Sequence, residues 1–172
     1  MVDLKKQRLL AYKMPGIKQF DQTACWAACL AWWAKATQLK IPRTGQLEIL
    51  ADYSRYWNQN EASSSYGTIP KKLLKRIMDE SKWKAKTQLV SAQSLSHNFL
   101  RKKLEAGPNI IAFYSAFYRT GHVNVLVAPS INTQGKEVGF IVMEPHVGNY
   151  KLRSYGFFSS DPNPILLSWP KS

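Results

Sequence analysis

Gln19-Phe-Asp-Gln-Thr-Ala-Cys25-Trp-Ala-Ala-Cys29-Leu-Ala-Trp-Trp-Ala-Lys35-Ala-Thr-Gln38 is the stretch on which the reading of this chain turns. Its second half is rich in alanine and nearly uncharged, which predicts a helix over about 25–38 with Thr23 as its cap. Apolar side chains surround that helix on almost every side, so it has to be central and buried rather than laid on a surface. A cysteine in its first turn meets backbone N–H groups that have no intrahelical partner, and the positive end of the helix dipole. Both favour a thiolate, the form of cysteine that acts as a nucleophile. Cys29, one turn further on, reads as core, and Trp32 and Trp33 as core or groove wall.

Outward from this helix, residues 1–22 look irregular, with Pro15-Gly16 marking a turn. Three more helices are predicted: about 44–57 capped by Thr44, about 70–81 with Pro70 in its first turn, and about 94–106 stopped by Gly107-Pro108. After Pro108 the period changes. Ile110–Tyr118, His122–Ala128, Val138–Met143 and Tyr150–Phe158 are rich in β-branched and aromatic residues and are separated by turn residues. Lys84–Val90 adds a candidate strand earlier. Helices first and antiparallel strands afterwards describe one α+β domain over 1–172, helical over about 15–107 and sheet-forming over about 108–160.

Two further residues stand where chemistry with Cys25 is possible. Gly121-His122 opens a predicted strand, and Glu144-Pro145 closes the next, with a carboxylate suited to holding an imidazole in one tautomer. Nucleophile, base and orienting acid would then come from three separate elements, the arrangement of covalent acyl transfer. Asn124 is an alternative third member. His97 lies among polar residues and reads as solvated, and His146 as a turn residue. The two cysteines with two distant histidines lack the spacing of structural zinc sites, so no metal and no cofactor are expected.

The chain has 172 residues, with 24 Lys+Arg against 11 Asp+Glu, a formal net charge of +13, and 45% hydrophobic residues, enough for a real core. No apolar run approaches a membrane span, so no membrane partner is expected, and Met1–Leu10 has charge but no signal-peptide core. The basic excess is concentrated in 70–107, where ten Lys/Arg face Asp79, Glu80 and Glu105. Lys71/Lys75 and Lys72/Arg76 share one helical face. That face reads either as a steering surface for an acidic or nucleic-acid-associated partner or as a solvated helix side. No nucleic-acid module signature accompanies it, so direct nucleic-acid binding is not favoured.

Pro15-x₃-Gln19-x₅-Cys25-Trp26-Ala27-Ala28, the Gly121-His122 strand and Leu104-Glu-Ala-Gly107-Pro108-Asn-Ile-Ile together resemble papain-like cysteine proteases. The likeness is to their bacterial effector branch, which includes the plant-pathogen AvrRpt effector family. The resemblance runs from about residue 15 to 146. It implies a papain-like fold, with an N-terminal helical lobe whose central Cys-bearing helix packs on a C-terminal antiparallel sheet. It implies Cys25 as nucleophile, His122 as general base and acid, and Gln19 as side-chain donor to the oxyanion beside the Cys25 N–H. Gln22 is a second candidate for that donor, and Trp26 would wedge between the lobes. Glu144 departs from the pattern, which has Asp or Asn there.

The same resemblance implies a bacterial effector or toxin that cuts target-cell proteins. Such a protein would be made in the cytoplasm, exported by a specialised secretion system, active in the target-cell cytosol, and covered by an immunity protein in its producer. Two other readings stay open: a deamidase, transglutaminase or peptidoglycan amidase using the same residues, and a basic binding module with an idle cysteine.

Overall fold

The protein is described here from a computed structural model that covers residues 4–21, 23–60, 67–117, 120–159 and 163–171. Helix α2 (Cys25–Ala36) buries every residue from Cys25 to Ala34, and its one charge, Lys35, falls in the last turn. A helix with no polar face must be surrounded. Leu10 of α1 (Leu4–Lys13), Ile49 and Leu50 of α3 (Gln46–Asp52), Leu74, Ile77 and Met78 of α4 (Lys71–Met78), and one face of a sheet do this.

The sheet has six strands: β1 (Ala85–Val90), β2 (Asn109–Ser115), β3 (Thr120–Ile131), β4 (Glu137–Glu144), β5 (Asn149–Arg153) and β6 (Ile165–Pro170). Their order is β1-β6-β2-β3-β4-β5, and every adjacent pair is antiparallel. Ile110 and Ala112 of β2 point to the α2 side. Ile111 and Phe113 point the other way, into a second cluster with Leu100 and Leu104 of α5 (His97–Leu104) and Phe158 of α6 (Gly156–Ser159). With helices on both faces, β2 reads in the sequence as an unbroken apolar run rather than an alternation. The α+β class expected from the sequence is what the structure has. No helix among the described residues is long and apolar enough to cross a membrane.

Several boundaries differ from expectation, each for a local reason. The N-terminal segment is helical, not irregular: Gln7 Nε2 donates to the Leu104 carbonyl, and Arg8 Nε and Nη2 donate to Pro129 O at 3.1 and 3.0 Å. Those are long-range bonds that no periodicity announces. Thr23 does not cap α2. Its N–H and hydroxyl, and the Ala24 N–H, all donate to Asp21 Oδ1 at 2.7–2.9 Å, and Ala24 takes the cap position.

Helix α3 starts after Gly45, whose N–H is held by Glu48 Oε2 at 2.9 Å, and not at Thr44. Pro70 caps α4 rather than entering it, and the helix ends at Met78. Ser96 Oγ accepts the Phe99 N–H at 3.0 Å, so α5 begins at His97 and not at 94. β5 stops at Arg153, where a bend leads into α6. β1 matches the candidate strand over Lys84–Val90, starting one residue later, and β6 lies beyond the part expected to form the sheet.

Candidate active site

Cys25 opens α2, and backbone bonding of that turn begins with the Ala27 N–H to the Ala24 carbonyl at 3.1 Å, while the Cys25 N–H has no backbone partner among the described residues. The start of α2 is locked from outside. Trp26 Nε1 donates to Gly67 O at 2.9 Å. Gly67 has a φ of +80°, and a Cβ there would lie 2.3 Å from Thr23 Oγ1, so only glycine lets the loop approach this closely. Trp26 is therefore a buried pin between α2 and the loop before α4, within the helical part rather than between the two lobes.

His122 stands on β3 opposite Phe113, whose ring it meets edge-on at 5.9 Å. Its Nε2 is 2.6 Å from Oε1 of Glu144, the last residue of β4. The Cys25 thiol is a further hydrogen-bond partner of this side chain. Cys25 and His122 are each 6% exposed and Glu144 is fully buried. Asn124 Nδ2 lies 3.3 Å from the same Nε2 and donates to Val123 O, so Asn124 is a neighbour of the pair and Glu144 holds the orienting position.

Burial alone would push the His122 pKa down. The hydrogen bonds and charges of Cys25 and Glu144 outweigh it and raise the pKa to about 9. Burial pushes Glu144 up, but the hydrogen bond and charge of His122, with bonds from Arg153 and Asn124, bring it down to about 2. At neutral pH an imidazolium therefore sits between a carboxylate and sulfur. Burial pushes the Cys29 thiol up, the charges of Cys25 and Glu144 push it the same way, and its Sγ donates to Val123 O at 3.3 Å, all consistent with a core residue.

Gln19 reaches this neighbourhood through a close crossing of two loops. A Cβ on Gly16 would lie 2.5 Å from Gly148 O, and one on Gly148 (φ +66°) would lie 2.8 Å from the Lys18 nitrogen. Seated by this crossing, the Gln19 N–H donates to Pro145 O at 2.8 Å, one residue past Glu144. The Gln19 side chain is buried, and its Oε1 has no hydrogen-bond partner among the described residues. Gln22 lies outside the described residues.

On the other side of Cys25 a cleft of about 350 Å³ opens, floored by Trp26, Ile69, Leu74 and Phe113 and flanked by Lys71 and Gly121. A Cβ on Gly121 would touch nothing within 4 Å among the described residues. The four basic residues singled out on α4 do not act alike. Lys71 edges the cleft and donates to Pro164 O at 2.9 Å, Lys75 pairs with Asp79 at 2.6 Å, and Lys72 and Arg76 are exposed.

His97 is not simply solvated: it stacks on Phe140 at 4.7 Å and pairs with Glu137. His146 is exposed in the turn after β4, as expected, and its N–H donates to Glu144 Oε1 at 3.3 Å. Trp32 and Trp33 are core, donating to Tyr150 OH and Pro108 O. The residue the sequence reading missed is Arg153, whose Nη2 donates to Glu144 Oε2 at 2.9 Å. No group of three or more metal-ligating side chains occurs among the described residues. What the arrangement offers is a thiol at a helix start, a charged imidazole beside it, and a buried carboxylate behind, which together suit attack on a carbonyl carbon.

No protein-family model matches the chain, and no curated protein matches its sequence. Solved structures do match. The peptidase domain of Streptococcus ComA, a bi-functional ABC transporter involved in a quorum sensing pathway, superposes with a TM-score of 0.57 at 18% identity, covering 91% of this chain and 98% of that one. A double glycine motif protease from an AMS/PCAT transporter, in complex with the leader peptide, gives a TM-score of 0.53 at 16% identity over 91% of each chain. Both are peptidase domains of transporters, so the effector branch of the resemblance rests on the sequence motif alone. At these identities the likeness speaks for the fold, and the fold of this chain is the α+β, papain-like fold of such peptidase domains.

Proposed function

We propose that this chain is a papain-like cysteine peptidase. The observation that carries the reading is the buried line Cys25–His122–Glu144 at the edge of an open apolar cleft. In this reading Cys25 Sγ attacks the scissile carbonyl carbon. The resulting oxyanion is held by the Cys25 N–H and the Gln19 side-chain amide. The His122 imidazolium gives its proton to the leaving amine as the C–N bond breaks, which leaves an acyl-thioester on Cys25. Water then attacks the thioester while His122 takes its proton, the C–S bond breaks, and the peptide acid departs. Glu144 keeps the imidazole oriented and its charged form stabilised throughout.

The biological setting is part of the proposal and rests on the sequence motif: a bacterial effector or toxin acting on target-cell proteins, with an immunity protein over the cleft in its producer. Lys71 at the cleft and the exposed Lys72 and Arg76 nearby would favour acidic substrates. The test is mass spectrometry of target-cell extract, and of a peptide panel that includes a double-glycine leader peptide, after incubation with the protein or its Cys25→Ala variant. New termini that need Cys25 are the expected result. A mass gain on glutamine without a cut replaces the peptidase with a deamidase. Salt-sensitive nucleic-acid binding that survives Cys25→Ala, with no product at all, replaces it with a binding module.

A further inference from the structure

A glutamate buried beside a histidine has two requirements that His122 cannot meet. It has three side-chain torsions to fix, and only one of its oxygens faces the imidazole. Burial also pushes its carboxyl toward the neutral form, against the charge that His122 needs beside it. Arg153 answers both. Its Nη2 holds Glu144 Oε2 at 2.9 Å while Oε1 meets His122 at 2.6 Å, so the carboxylate is gripped at both ends.

The arginine is itself held. Its guanidinium carbon lies 4.3 Å over the Phe157 ring of α6, and its Nε is buried. Its backbone pairs with Phe140 in register, and Gly139 packs so closely that a Cβ there would lie 2.3 Å from the Arg153 carbonyl oxygen. Titratable or polar groups face Glu144 from each element packed on it: Cys25 and Cys29 from α2, His122 beside Asn124 from β3, and Arg153 from β5, while the turn after β4 adds the His146 N–H. Without Arg153 the buried Glu144 loses the charged partner of its Oε2, and burial pushes the carboxyl toward its neutral form.

We propose that Arg153 is a positioning residue of this site, fixing Glu144 in the conformation that serves His122 and keeping it ionised there. The inference rests on the peptidase reading for its meaning in turnover, so the experiment uses a readout that needs no substrate. The full chain carrying Cys29→Ala is alkylated at Cys25 with iodoacetamide, and Arg153→Gln, Arg153→Lys, Glu144→Gln and the Glu144→Gln/Arg153→Gln double variant are compared. Arg153→Gln is expected to slow alkylation near pH 6 by about 10- to 100-fold, the usual range for a partner that orients a functional side chain from behind. Arg153→Lys, which keeps the charge without the planar fork, recovers part of the rate and keeps the test alive should Arg153→Gln fail to fold.

The discriminating result is the double variant. If Arg153 acts through Glu144, adding Arg153→Gln to Glu144→Gln changes the rate by less than about twofold. Wild-type rates in Arg153→Gln, or the same loss in both backgrounds, overturn the proposal. His122→Ala is the control that separates the two readings. If it leaves alkylation unchanged, the peptidase site itself falls, whereas a slow His122→Ala with a normal Arg153→Gln removes the role of Arg153 alone. Once a substrate is in hand, Arg153→Gln should lower kcat and leave KM near wild type, since Arg153 does not line the cleft.

Discussion

The two ends of β4 carry the same three kinds of side chain. At its first residue, Glu137 meets His97 Nδ1 at 3.1 Å and Arg101 Nε at 3.3 Å; at its last, Glu144 meets His122 Nε2 at 2.6 Å and Arg153 Nη2 at 2.9 Å. Burial and sulfur separate them. The His97 and Glu137 side chains are 31% and 24% exposed, against 6% and 1% for His122 and Glu144. His97 lies flat on Phe140, while His122 touches Phe113 only by its edge and has Cys25 as a neighbour. Water screens the first group into an ordinary surface ion pair, whereas exclusion of water lets the second hold an imidazolium against a thiol. A His–Glu–Arg set is therefore not a signature of chemistry; its depth and its fourth member decide.

The widest gap between the two ends should appear in turnover. Cys25→Ala and His122→Ala should each lower peptide hydrolysis on the order of 10⁴-fold, with the double variant no worse because they act as a unit. His97→Ala should leave it within about twofold, and an equal loss in His97→Ala would erase the distinction. Next, Glu144→Gln should cost about 10²- to 10⁴-fold in kcat while Glu137→Gln is silent, both read by steady-state kinetics.

Stability should separate the ends less sharply. Glu144→Ala strands Arg153 and His122 and should cost about 3–5 kcal/mol in urea unfolding. Glu137→Ala should cost less than about 1 kcal/mol.

The smallest effect is a displaced pH profile. His122 binds its proton more tightly in the folded protein, with a pKa of about 9, than at its ordinary value of 6.5, so it stabilises the fold fully below 6.5 and ceases to do so as pH rises through about 9. Glu144, lowered from 4.5 to about 2, contributes above 4.5 and loses its contribution as pH falls through about 2. The thermal midpoint should thus decline between pH 6.5 and 9, and kcat should fall over its alkaline limb near 9 as the proton donor is lost. Glu144→Gln should move that limb to lower pH. An unmoved limb would mean that Glu144 does not support the His122 charge.

What could be read from the sequence was what local pattern dictates. The all-apolar run from Cys25 to Ala34 could only be a central helix, and Gly121-His122 and Glu144-Pro145 sit at strand ends, where side chains can meet a residue of another element. The rest depended on partners far along the chain. α1 is a polar helix held by bonds from Gln7 to Leu104 and from Arg8 to Pro129, which its own composition does not suggest. β6 is a short segment whose strand character comes from pairing with β1 and β2 on its two sides. Arg153 was one basic residue among 24 until the β4–β5 register brought its side chain to Glu144. Thr23 looked like a cap because the sequence does not reveal that Asp21 claims its hydroxyl and the neighbouring N–H groups.

The crossing of Gly16 over Gly148 has a consequence for the order in which the protein is made. The ribosome releases the cysteine early and the histidine and glutamate much later, and the loop carrying Gln19, which Gln46 holds from one side, lacks its crossing partner until the turn after β4 exists. A nascent chain can therefore carry the segment that bears the thiol while lacking the histidine and glutamate that complete the site. Competence arrives in one late step, when residues near the two ends of the sequence close on each other. A truncated product that ends before that turn would be chemically quiet in the cell that made it.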